Sequence, residues 1–307
     1  MLGVLTKALS FVVIIIIGYY LKKKGLFGPN DYSILSKIIL NLTLPAAVIV
    51  SFAHFEMDYS LFALLGIGFA LNVLVILLAL FMTRRETAGA KLFYIFNMSG
   101  FNIGCFGMPF AQSFLGPSGV IALCMFDVGN SIMCTGMTYA LAASTVGDAE
   151  GRREPFTVTG ALKRLKGSVP FITYVTMLLL SMMDIRMPDG VNVFMQVLAN
   201  ANPFLCMLMI GMMFKLNLDK QSFAYIRQAY WVRYLISIVL AVFFYLKGPF
   251  APELNKVLTA ALLTPSTVIG PIFLGQLKGN VALAGVANSL SIVTSVILLT
   301  AFFTLSH

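Results

Sequence analysis

Apolar runs long enough to cross a lipid bilayer follow one another along the whole chain. Ten are readable, at roughly 2–20, 33–53, 60–82, 91–113, 118–144, 168–185, 191–214, 230–246, 255–276 and 280–305, each near the ~20 residues that a helix needs to span the hydrocarbon. Inside lipid every backbone polar group must be satisfied internally, which leaves helices as the structure for such runs. The pattern predicts an all-α polytopic membrane protein with ten transmembrane helices. Only 11% of the 307 residues are charged, against about 25% in soluble domains, so no sizeable soluble domain is expected. The first run lacks a basic head and a clear small-residue cleavage site, and its basic cluster comes after it, so it reads as a mature span.

The net charge of +9 marks topology rather than a nucleic-acid partner. Lys22, Lys23 and Lys24 follow the first run, Arg84, Arg85 and Lys91 the third, and Arg152, Arg153, Lys163, Arg164 and Lys166 the fifth. Lys215, Lys220, Arg227 and Arg233 are assigned to the connection between the seventh and eighth runs, and Lys278 follows the ninth. With Lys37, 17 of the 21 Lys and Arg fall in alternate connections, leaving Lys7, Arg186, Lys247 and Lys256 on the other side. Positive charge marks the cytoplasmic face, so both termini are expected on the non-cytoplasmic side of what reads as a bacterial inner membrane, with lipid as a partner. The cysteines, Cys105, Cys124, Cys134 and Cys206, lie inside runs and behave there as small apolar residues. The two histidines, His54 and His307, sit near the outer edge. No metal site, disulfide framework or cofactor is expected.

The longest polar connection divides the chain into a first five-helix repeat at 1–144, a cytoplasmic connecting loop at 145–167 containing Gly-Asp-Ala-Glu-Gly-Arg-Arg-Glu-Pro, and a second five-helix repeat at 168–307. Two related halves of five spans must enter the membrane in opposite directions, the inverted-repeat plan of many secondary transporters. Pro45 to Asn130 and Pro203 to Asn288 are each 85 residues apart, and Asn-Ser pairs occur at 130–131 and 288–289. Asn41 precedes the first of these prolines; Asn200 and Asn202 precede the second.

The fourth and ninth runs carry the same kind of interruption. The fourth reads Asn-Met-Ser-Gly-Phe-Asn-Ile-Gly-Cys-Phe-Gly-Met-Pro-Phe-Ala-Gln over 97–112, and the ninth contains Thr264, Pro265, Ser266, Thr267, Gly270 and Pro271. Proline removes a backbone donor and clashes with the preceding turn. Together with glycine and amide side chains it predicts unwound backbone beside a polar cavity, since such backbone is tolerated at membrane depth only there. Paired interruptions in the two halves point to a transporter's binding site. Half-helix N-termini suit an anion there, and carbonyl ends suit a cation or a proton donor. Gln112 and Gln276 end their runs and read as boundary residues.

The chain resembles the auxin efflux carrier family of membrane transporters, which includes plant carriers and bacterial malate or malonate permeases. Asn102-Ile-Gly-Cys-Phe-Gly-Met-Pro109 is similar to the family's Asn-x-x-x-x-Gly-x-Pro in the fourth span, and Pro265 and Pro271 add to it. The ninth-span prolines are six residues apart, whereas the plant pattern has five. Pro265 is preferred as the crossing residue because it lies 156 residues after Pro109, near the repeat offset of 158. The resemblance implies a scaffold bundle and a transport bundle, with substrate held beside crossed, broken fourth and ninth helices. The expected substrate-binding set is Asn102, Gly104, Gly107, Pro109, Asn130, Thr264, Pro265, Ser266, Thr267 and Asn288.

Asp127 is the lone acidic residue deep in a run, three residues ahead of Asn130 on one helical face. An isolated carboxylate there is costly, so it is expected to face protein or water and to couple transport to H+ or Na+. No arginine or lysine is expected deep in a span, leaving carboxylate recognition to helix ends and amides. The function expected is that of a secondary transporter of a small organic anion, a dicarboxylate or an auxin-like carboxylate, working by alternating access. A sodium-coupled symporter of the bile-acid type and a non-transporting membrane sensor are the alternatives, and a homodimer is left open. An enzyme is not expected: an aspartyl protease needs two carboxylates sharing a site, and no histidine lies within the bilayer for a serine or metal mechanism.

Overall fold

The computed structural model describes residues 2–53, 55, 58–214 and 220–306; His54, His307 and Lys215 lie outside them, as does the side chain of Lys220. The described residues are all helical, without a strand. The helices are α1 (Leu2–Lys23), α2 (Tyr32–Ile38), α3 (Leu44–Ser51), α4 (Leu61–Met82), α5 (Ala88–Met98), α6 (Met108–Phe114), α7 (Gly116–Ser131) and α8 (Thr138–Thr145). They continue with α9 (Val158–Lys166), α10 (Val169–Met182), α11 (Asp189–Met213), α12 (Lys220–Lys247), α13 (Pro252–Leu262), α14 (Ile269–Gln276) and α15 (Val281–Leu305). Three π-helical turns, Ile39–Thr43, Ile103–Gly107 and Ile132–Met137, lead into α3, α6 and α8.

Among the described residues, seven stretches are long and apolar enough to cross a membrane: Leu5–Lys23, Tyr32–Ser51, Leu61–Met82, Gly116–Thr145, Asp189–Met213, Phe223–Lys247 and Val281–Leu305. The pair α9 and α10, bent by 83°, makes an eighth if taken as one span. The two remaining apolar runs, 91–113 and 255–276, differ from the unbroken pattern. Their helical pieces α5, α6, α13 and α14 are 11, 7, 11 and 8 residues long, short of the ~20 a crossing needs. The first break follows from Gly100, whose φ of +77° ends a right-handed helix and is easy only for glycine. A Cβ there would press on the side chains of Thr267 and Cys134. The second follows from Pro265, which lacks an N–H and disfavours helical backbone at Thr264 before it.

Gly116–Thr145 is the innermost span: 83% of its most apolar stretch is buried, against 22 to 44% in the other long spans. Its neighbour α4 lies in backbone contact with it. A Cβ on Gly68 would strike the Phe126 carbonyl, and one on Gly129 the Leu65 carbonyl. Such small-residue seams let helices associate in lipid, where hydrophobicity does not drive them together. The seam matters here because it fixes Asn72 of α4 against Asn130 of α7.

The polar connection at 145–167 is folded against the end of α14. Asp148 accepts hydrogen bonds from the backbone N–H of Arg152 (2.9 Å) and Glu150 (3.0 Å) and from Arg152 Nε (3.1 Å). Lys278 lies 3.4 Å from the same carboxylate, and Ala149 N donates to Leu277 O at 2.9 Å. The Arg152 backbone N–H, before the other donors, holds the Asp148 carboxyl at about 2, below the ordinary carboxylate value near ~3.9.

Candidate functional site

The two breaks cross. Phe101 and Ser266 form an isolated antiparallel β-bridge, and Asn102 N donates to Pro265 O at 2.9 Å. Of the two ninth-run prolines, Pro265 therefore stands at the crossing. Pro109 lies in the first turn of α6, the place that Pro271 occupies in α14. The stretch from the bridge to that proline is longer on the first side, where it includes the π-helical turn Ile103–Gly107.

Unwound backbone at this depth needs partners, and side chains provide them on both sides. On the first break, Asn130 Oδ1 accepts from Phe101 N (3.0 Å) and from Asn72 Nδ2 (3.1 Å), while Asn130 Nδ2 donates to Phe101 O (2.9 Å) and Asp127 Oδ1 (2.7 Å). Asn72 Oδ1 accepts from Gly100 N at 2.7 Å, and Tyr174 OH donates to Asp127 Oδ2 at 3.0 Å. On the second break, Asn288 Nδ2 donates to Ser266 O (3.1 Å) and Thr267 O (3.3 Å), and Ser291 Oγ accepts from Ser266 N (2.9 Å). Tyr234 OH completes that side against Ser291 and Ser295.

A cavity of about 80 Å³ opens against the first break, several times the ~10–15 Å³ that one water requires. Asn102, Gly104, Asn130 and Thr267 of the expected substrate-binding set line it with Asp127, the expected coupling residue, joined by Ser131, Thr135, Ser168 and Tyr174. All three π-helical turns contribute to its wall, through Leu40, Ile103–Cys105 and Cys134–Thr135. The buried Nδ2 of Asn102 has no hydrogen-bond partner, so an acceptor entering the cavity would find a donor waiting. Wide π turns of this kind are often found at functional sites.

The rest of the expected set lies elsewhere. Gly107 packs under the Thr264 side chain, whose hydroxyl bonds back to Ala261 O at 2.7 Å. Pro265 and Ser266 build the crossing through their backbone. Asn288 borders a second cavity of about 120 Å³, with Tyr32, Ser36, Val268 and Pro271. Asn41 is exposed and bonded to Lys37 O, and Asn200 is exposed and bonded to Gln196. Asn202 is buried in a chain linking Thr43 and Gln112, so Gln112 is a tie between α6 and α11 rather than a boundary residue.

The expectation that no basic residue lies deep in a span is overturned by Arg233. It is 4% exposed and sits near the middle of α12, which begins ten residues before the apolar run that was used to place it. Its Nη1 donates to Met98 O and its Nη2 to Thr264 O at 3.5 Å, and its guanidinium lies 4.9 Å from the Phe101 ring centre. Asn72 and Tyr174 were missed as well. Asn72 had a signal, as the single amide inside the apolar run 60–82; Tyr174 had none.

Residues 4–164 match a family described as membrane transport protein. Over 163 residues the chain is 24% identical to a protein of Methanothermobacter thermautotrophicus named an uncharacterized transporter. That match covers 50% of this chain and 51% of the relative, so it spans about half the relative's length.

Proposed function

The chain belongs to the membrane transport protein family, and we propose that it is a secondary transporter of a small organic anion in a bacterial inner membrane. The observation that carries this reading is the antiparallel meeting of two unwound segments at Phe101 and Ser266, beside a polar cavity holding one carboxyl group and one unpartnered amide.

In this reading, the α5/α6 and α13/α14 pairs are the fourth and ninth spans of a five-plus-five inverted repeat, with halves at 1–144 and 168–307 around the cytoplasmic connection 145–167. The two asparagines 158 residues apart support it: Asn130 holds the Phe101 carbonyl and Asn288 the Ser266 carbonyl. Both termini then lie on the non-cytoplasmic side. A carboxylate substrate, dicarboxylate or indole acid, enters the cavity and accepts from Asn102 Nδ2 and the hydroxyls of Ser131, Thr135 and Ser168. Gly104 lets the substrate approach the backbone where the helix restarts. Gly107, Pro109, Thr264, Pro265, Ser266, Thr267 and Asn288 serve it by shaping the crossing.

Asp127 is the coupling group. Held between Asn130 and Tyr174, it carries a proton or binds Na+ when the anion is bound, and releases it on the other side. Anion and counter-charge then share one small cavity, and neither enters it favourably alone. The test is uptake of radiolabelled malate, malonate and indole acetate into proteoliposomes, with pH and sodium varied separately. Uptake of at least one carboxylate, weakened by Asn102→Ala, is expected. A folded, correctly inserted protein that moves none of them under any gradient would refute the reading.

A further inference from the structure

The mechanism above leaves one charge unused. Arg233 is buried and projects from α12 onto neither cavity, yet it reaches both broken helices. Met98 O belongs to the last turn of α5, and Thr264 O follows the end of α13. These are the C-terminal ends of the two first half-helices, where carbonyls are left without intrahelical partners and the helix dipole is negative. A guanidinium suits two such ends at once because its donors form a rigid planar fork. It also lies over the face of Phe101, the residue whose backbone forms the bridge across the crossing.

We propose that Arg233 is the positioning residue of the crossing: one fixed cation that joins the carbonyl ends of both half-helices and holds Phe101 between itself and Asn130. Asn72, Asn130, Asn288 and Ser291 each serve a single break; Arg233 serves both. It thereby makes α12 and the two broken helices one body, so the cavity wall at Asn102 keeps its geometry while that body moves. The pinning stands apart from the transport reading, whereas its effect on substrate affinity rests on that reading.

The test combines hydrogen exchange with kinetics on the full-length protein. In Arg233→Gln, backbone amides of both 99–103 and 263–268 are expected to exchange about ten-fold faster, with α1 and α11 unchanged. Arg233→Lys keeps the charge but not the fork, and is expected to protect only one break; it also serves if the glutamine variant does not fold. Unchanged exchange at either break in Arg233→Gln, or faster exchange throughout the chain, would overturn the proposal. So would full protection of both breaks in Arg233→Lys. For a carboxylate that the parent transports, Arg233→Gln should raise KM about ten-fold, equivalent to ~1.4 kcal/mol of binding, with Vmax per inserted molecule little changed and KM partly restored by lysine. Faster exchange with an unchanged KM would make Arg233 a brace without a positioning role. If the parent moves no carboxylate, the transport reading fails while the exchange experiment still decides the pin.

Discussion

The two breaks that meet at Phe101 and Ser266 have the same structural problem and solve it alike, yet only one of them has a carboxyl group beside it. On each side an asparagine from the following long helix donates to an unwound carbonyl, Asn130 to Phe101 and Asn288 to Ser266. The first side adds Asp127, bonded to Asn130 and Tyr174; at the corresponding place, 158 residues on, the second has Gly285. The first asparagine is also tied into Asn72, whereas the second side relies on the hydroxyls of Ser291 and Tyr234. The amides that hold backbone are shared by both sides, and the carboxyl group is confined to one. Support of unwound backbone and the proposed handling of charge therefore rest on different residues, and single substitutions should separate them.

The largest effect is expected for Asn130→Ala. It strips partners from Phe101 N, Phe101 O, Asn72 and Asp127 together. With about 1–3 kcal/mol for each buried group left unpaired, thermal unfolding in detergent should show a loss of several kcal/mol, together with loss of uptake. A variant as stable as the parent would show that water replaces the amide and that the first break is wetter than it looks.

Asp127→Asn should break the comparison the other way. The amide retains an acceptor for Asn130 and a group beside Tyr174, so the protein is expected to stay folded. Uptake should be abolished, or should lose its dependence on pH or sodium. Uptake in proteoliposomes at each pH measures this, and an unaltered pH profile would remove Asp127 from coupling.

Asn288→Ala sharpens the contrast. It leaves Ser266 O and Thr267 O short of a donor but touches no ionisable group. A stability loss of about 1–3 kcal/mol is expected, with the pH profile of the remaining transport preserved. A changed profile would mean that the second side also handles charge.

The smallest effect lies at the membrane surface. Asp148 ties the connection 145–167 to Lys278, whose side chain is exposed, so the pair is open to screening by salt. Because its carboxyl sits at about 2 in the folded protein, below the ordinary ~3.9, its contribution is present above the ordinary value and is lost as pH falls through that of the folded state. Limited proteolysis of the loop should therefore be unchanged from neutral pH down to about 4 and increase only below that. Asp148→Asn should loosen the loop without altering transport.

The all-helical plan and both breaks were legible in the sequence because glycine, proline and amides are conspicuous inside apolar runs. The Asp127–Asn130 pair was legible because a spacing of three fixes two side chains on one helical face. What the breaks do to one another was not. Phe101 and Ser266 are distant in sequence, and their pairing depends on where each segment unwinds rather than on any motif. Arg233 was hidden because the polar start of α12 does not register as an apolar run, so a residue in mid-helix reads as part of a connection.

The wide π-helical turns have a further consequence. Each of the three segments lining the cavity winds one residue looser than an α-helix, so each holds a surplus residue that the ladder could shed. Deleting one residue from 103–107 or 132–137 should turn the wide turn into ordinary α-helix, withdrawing one position from the cavity wall while the helix beyond keeps its face. The shape of the pocket is thus written partly in residue count: insertions and deletions, and not only exchanges, are a route by which such a site could be retuned for a different guest.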